Sequence, residues 1–189
     1  MKFKSILFSA LSAVMFCVSA NAQSDYYVKN GADVNVTHAE HYPKAVGVAN
    51  VRGDQQVLDN IATAPGCAAY FDKTSTVFEV KSGETITPLI TINGAWMHGY
   101  VYVDWNNNKQ FDVDVTGEGP YVKGDGNELM CWSLYSHNGT GDNGWNSAGL
   151  YQGSGNVLAP GSFRVPEGLE EGSTYRMRYA IQWNSIDPT

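Results

Sequence analysis

Between Asp104 and Asp112 the chain reads Asp-Trp-Asn-Asn-Asn-Lys-Gln-Phe-Asp. Asp104, Asn106, Asn108 and Asp112 stand at relative positions one, three, five and nine, and Gln110 offers a backbone carbonyl at seven. Those are the oxygen positions of a calcium loop, where carboxylate and amide oxygens wrap a hard cation. Two residues depart from the pattern. Lys109 occupies the turn position where glycine is usual, and Val115 stands where a bidentate glutamate would close the site; Asp114 or Glu118 would close it only along a different loop path. With so few carboxylates any calcium bound here is weakly held. The competing reading is an Asn-rich turn whose amides cap backbone groups and tolerate left-handed conformations. The sequence requires no cofactor, and calcium is the metal its spacing matches.

A second group with chemical potential lies downstream. Trp132, Tyr135, Trp145 and Tyr151, with His137 among them, are set in Asn- and Gly-rich sequence. Flat aromatic rings stack on pyranose faces while amides bond sugar hydroxyls, so these four are the candidates for carbohydrate stacking. Glycine-rich loops also use such rings as anchors. Catalysis is the weakest reading. Asp104, Asp112 and Glu118 supply carboxylates of the type a glycan hydrolase needs across a cleft, but they fall within one short stretch. No nucleophile elbow, zinc-binding helix or phosphate loop occurs, so no catalytic residue is assigned and an enzyme is not expected. His38, Glu40 and His41 before Pro43 read as a polar turn rather than a metal cluster, and Arg52-Gly53-Asp54 as a tight turn rather than an adhesion signal.

These residues need a scaffold, and the apolar pattern is that of strands. Trp96 to Trp105 alternates most strongly: Met97, Val101, Val103 and Trp105 share one face, and Trp96, His98, Tyr100, Tyr102 and Asp104 the other. The second face serves either as a ligand platform or as a surface covered by a loop. Strands are also expected at Val46 to Val51 and Gln56 to Ala62 around the Arg-Gly-Asp turn, and at Glu128 to Tyr135. Thr76 to Lys81 and Thr85 to Asn93 read as a hairpin across Ser82-Gly83-Glu84. In Ser173 to Trp183 the residues Tyr175, Met177, Tyr179, Ile181 and Trp183 form an apolar face. Arg176 and Arg178 lie opposite, where they pair with acidic neighbours or hold a carboxylate ligand. Eleven of the 20 glycines fall between Gly117 and Gly161. The expected fold is therefore all-β, an antiparallel β-sandwich of jelly-roll or Ig-like type with long Gly/Asn-rich loops.

The first residues read as an export signal. Lys2 and Lys4 precede the apolar run Ile6 to Val18, and Ala20-Asn21-Ala22 supplies a small-x-small cleavage pattern, so the mature chain should start at Gln23. Phe16 precedes Cys17 where a lipoprotein signal needs a small residue. The expected layout is a signal peptide at 1–22, a polar segment at 23–45 and the sandwich at 46–189. The sandwich reads as C-terminally truncated, because a strong strand is followed by no closing element and should leave an open edge. Cleavage leaves 10 basic against 19 acidic residues, a formal charge of −9. Such a surface repels nucleic acid and anionic lipid, and membrane insertion after signal removal is not expected. Cys67 and Cys131 survive cleavage; in an exported chain they either close a disulfide or remain as small buried apolar residues.

The run Tyr100-Val101-Tyr102-Val103-Asp104-Trp105-Asn106-Asn107-Asn108, with Phe111, acidic residues and Glu118, and later Pro166, Gly172 and Tyr175-Arg176-Met177-Arg178-Tyr179, resembles the GEVED domain of secreted bacterial proteins. The resemblance covers roughly Val77 to Trp183, and the Gly-Glu-Val-Glu-Asp motif that names the family is not in the sequence. What it implies is a β-sandwich module, found beside peptidase, adhesin or glycan-degrading domains, with no catalytic residues to carry over. The functional expectation is a secreted, periplasmic or cell-surface module that binds carbohydrate or a surface protein. The alternative is a structural or adhesive domain acting through protein contacts.

Overall fold

A computed structural model of the chain describes residues 6–9, 40–52, 55–64, 66–68, 70–113, 127–134, 147 and 157–183. Among the described residues ten strands are formed: β1 (Ile6–Ser9), β2 (Tyr42–Arg52), β3 (Gln55–Thr63), β4 (Val77–Val80), β5 (Thr85–Asn93), β6 (Met97–Asp104), β7 (Leu129–Leu134), β8 (Val157–Leu158), β9 (Phe163–Arg164) and β10 (Thr174–Trp183). Among the described residues there is no helix, and none long and apolar enough to cross a membrane. One sheet has the order β4-β1-β10-β6-β7 and the other β3-β2-β5-β8, with β9 also on β5. Every pairing is antiparallel except that of β1 with β10. The protein is an all-β sandwich.

The alternation in the sequence decides which side chains meet between the sheets. Phe78 and Val80 of β4, Ile86, Ile90 and Ile92 of β5, and Met97, Val101 and Val103 of β6 all enter one buried cluster, joined by Val48, Cys131, Leu158, Phe163, Val165 and Tyr175. Met177, Tyr179, Ile181 and Trp183 pack against it, as the apolar face of β10 requires. Tyr179 Oη donates to the Gly47 carbonyl at 2.7 Å, a hydrogen bond that links the sheets. Burial raises the pKa of its phenol well above the ordinary value.

Several expectations are corrected. Segments 76–81 and 85–93 do not form a hairpin: β4 pairs with β1 in one sheet and β5 with β2, β8 and β9 in the other. Gly83, at φ 75°, turns the chain from sheet to sheet, and Gly83 N and Glu84 O bond Val165 rather than a partner across the turn. Alternation reports a buried face, and that face is the same whether the next strand lies beside it or opposite. Strand β2 starts at Tyr42 and so includes Pro43, earlier read as part of a turn. Pro43 opposes Ile92 of β5, whereas the β3 ladder begins only at Ala45, so its missing N–H lies where β2 has a single neighbour. His41 stacks on Trp183 with ring centroids 5.1 Å apart and lies 3.2 Å from Glu40, and among the described residues it belongs to no metal cluster; His38 is outside them. Cys67 and Cys131 are both free thiols. Ile6–Ser9, inside the expected leader, forms β1, and β10 is thereby an interior strand between β1 and β6.

Candidate functional site

The candidate loop leaves β6 at Asp104 and returns toward β7. Its backbone follows a path set by side-chain oxygens. Asp104 Oδ1 accepts the Asn108 N–H at 3.2 Å and Oδ2 that of Lys109 at 3.0 Å. Asn106 Oδ1 accepts from Asn108 N and Asn108 Oδ1 from Gln110 N, both at 2.8 Å. Asn106 and Asn108 each cap the N–H two residues on, and Asp104 caps those four and five residues on, so the alternate Asn and Asp positions all serve the turn's backbone. Asn107 and Lys109 take left-handed conformations, φ 55° and 71°. Lys109 therefore adopts the conformation for which a calcium loop ordinarily uses glycine, at a steric cost from its Cβ.

Glu128, one residue before β7, closes the loop, and the sequence reading missed this. Its Oε1 accepts from Trp105 N at 2.8 Å and Asn106 N at 3.4 Å, and Oε2 accepts from Asp112 N at 2.9 Å, while Glu128 N donates to the Asp112 carbonyl at 2.7 Å. Asp104 and Glu128 are 0% and 2% exposed. Burial raises the Glu128 pKa, with neighbouring Asp104 adding to the rise and the N–H donors from Asp112, Trp105 and Asn106 opposing it. The one signal in the sequence was a charged residue at the mouth of an otherwise apolar strand.

On the exposed side of the loop Asn106 Nδ2 and Asn108 Nδ2 donate to Asp112 Oδ2 at 3.1 and 2.8 Å. Asn106, Asn108 and Asp112 therefore converge on one point, as a calcium set would. The backbone path fits such a set better than the side-chain oxygens do, since both amide oxygens already accept main-chain donors. Among the described residues no three His, Cys, Asp or Glu side chains gather as metal ligands. Gln110 lies on the same exposed turn. Asp114, Val115 and Glu118 are outside the described residues.

The outer face of β6 is covered rather than open. Tyr100 and Tyr102 are buried with Leu129, and Phe111, Val113, Trp132 and Ala180 pack on them. A ligand platform formed by these two tyrosines is thereby excluded. Arg178 stands opposite Tyr102 in the β10–β6 ladder, and its guanidinium lies 4.2 Å from the Tyr102 ring centroid and 4.5 Å from that of Phe111. It packs between aromatic rings and not against the acidic partner expected across the sheet; Arg176 does stand opposite Asp104. Of the stacking candidates, Trp132 is half-buried against this aromatic layer, opposite Tyr100. Tyr135, Trp145 and Tyr151 are outside the described residues. No family profile, curated protein or solved structure matches the chain.

Proposed function

We propose that the chain is an exported, non-catalytic β-sandwich module that binds carbohydrate or a cell-surface partner. The observation that carries this reading is the use made of the buried carboxylates. Both oxygens of Asp104 and both of Glu128 accept main-chain N–H donors and both residues are buried, so these acids serve to hold a loop in shape and are not presented to a substrate. The resemblance of the Asp104 loop and the β10 arginines to the GEVED domain agrees with an accessory module beside a glycan-degrading or adhesive partner domain. The leader-like first 22 residues support secretion to the periplasm, cell surface or medium.

Asp104, Asn106, Asn108, Asp112 and the Gln110 carbonyl are the residues that would hold a calcium ion, as a weak brace for the loop. Holding it requires the Asn106 and Asn108 amides to turn their oxygens toward Asp112. Sugar stacking falls to Trp132, Tyr135, Trp145 and Tyr151. The half-burial of Trp132 favours, for that residue, the second reading: a structural or adhesive domain whose rings are internal anchors. A glycan array probed with the exported protein, beside a surface-protein pull-down, separates the two. Glycan binding lost in Trp145→Ala supports the first, and protein capture with a blank array supports the second. Hydrolysis of any bound glycan, abolished by Asp112→Asn, would overturn the non-catalytic reading.

A further inference from the structure

Strand β1 opens the apolar run Ile6 to Val18 of the segment read as a leader. It is paired along both edges. Ile6, Leu7, Phe8 and Ser9 stand antiparallel to Val80, Glu79, Phe78 and Val77 of β4, and on the other side Leu7 and Phe8 stand parallel to Thr174 and Tyr175 of β10. Both neighbours are anchored between the sheets: Phe78 and Val80 are 4% and 1% exposed, and Tyr175, at 6%, belongs to the same cluster. Strand β10 then runs on against β6 from Arg176 to Trp183. Freeing β1 therefore means opening a ladder on each side, within a sheet whose strands carry the core. Such an opening costs far more than the fraying of a chain end.

A leader works only when its apolar run is accessible to the machinery that reads it, ahead of the cleavage pattern Ala20-Asn21-Ala22. A segment held in a sheet is offered only by the fraction of molecules in which that strand has opened, and its apparent affinity for any receptor falls by the same fraction. We propose that the folded precursor withholds its own leader: the pairing of β1 with β4 and β10 makes closure of the sandwich and export mutually exclusive. The contact is autoinhibitory, between a targeting segment and the domain it targets. Its consequence is an order of events, in which the chain crosses the membrane before the sandwich closes and a precursor that folds first is held back. The inference concerns the precursor alone and requires no particular neighbour for β4 after cleavage. It rests on the export reading of the function proposed above, and on no ligand.

The test compares the folded chain carrying residues 1–22 with a synthetic peptide of residues 1–30, which holds the leader and its cleavage site without the sandwich. In the folded precursor the Leu7 and Phe8 amides should exchange at least about a hundredfold more slowly than in the peptide, read by fragment-resolved hydrogen exchange. A leader peptidase should cut the folded precursor at least about tenfold more slowly than the peptide, as the accessible fraction of the leader requires. Intact mass identifies the product starting at Gln23. Slow exchange together with slow cleavage supports the inference. Leu7 and Phe8 exchanging at the peptide's rate overturns it whatever the cleavage rate, since the leader is then free of the sheet. Equal cleavage of precursor and peptide also overturns it, with the export reading left standing. A peptide that is not cut after Ala22 removes the export reading, and this inference with it.

Discussion

At the scale of single residues, the Asp104 loop shows a strained position and a costly charge serving one local structure. Lys109 at φ 71° pays for its Cβ in a conformation where glycine is at ease. Lys109→Gly should therefore raise stability by about 0.5–1 kcal/mol, seen as a higher urea midpoint at unchanged slope. Glu128 has its pKa raised from 4.5 by burial. A carboxyl with a raised folded-state pKa contributes stability that is full below the unfolded value and is lost as pH rises through the folded one. Stability should thus fall as pH rises above about 4.5 through the window set by this shift. In Glu128→Gln that fall should vanish, while overall stability drops by about 1–3 kcal/mol because an amide nitrogen replaces an acceptor needed by main-chain N–H groups. Urea titrations of both proteins across pH measure the two effects; an unchanged pH slope in the variant would count against the buried charge as its source.

At the scale of elements, the faces were legible in the sequence and the partners were not. Met97, Val101 and Val103 against Tyr100 and Tyr102 separate as alternation requires, and so does the apolar side of β10. The sheet change at Gly83 was invisible because Val165, the residue its backbone bonds, lies far away in sequence and carries no local sign of the pairing. The loop's capping residues were readable from Asp104 to Asp112 because each acts on an N–H within five residues. Glu128 was not, since its role depends on the β6–β7 register. The stacking candidates Tyr135, Trp145 and Tyr151 lie outside the described residues. Packing between the sheets also sets a limit that patterning does not reveal. A Cβ on Gly99 would lie 2.9 Å from Leu158 Cδ1 and 3.1 Å from Ile90 Cδ1, so Gly99→Ala should destabilise the sandwich by about 1–3 kcal/mol in chemical denaturation.

At the scale of the whole molecule, one buried cluster draws on both sheets, and Tyr179 ties β10 to Gly47 of β2. The sandwich should consequently unfold as one unit: circular dichroism and tryptophan fluorescence should give coincident thermal curves. Two separated transitions would mean that the sheets are not energetically joined. A chelator should lower the midpoint only if calcium braces the loop, by no more than a few degrees given the two carboxylates in the set.

The two thiols end in opposite chemical circumstances. Cys131 is wholly enclosed, and burial lifts its pKa far above the ordinary thiol value, so it offers almost no thiolate to an electrophile. Cys67 is only half-buried, with its Sγ 3.9 Å from the His41 carbonyl. In a chain starting at Gln23, which lacks Cys17, a maleimide reagent should consequently modify the folded protein once, at Cys67, and reach Cys131 only after denaturation, as peptide mass mapping would show. Nature has thus left this β-sandwich with a ready-made attachment point for a fluorophore or a solid support.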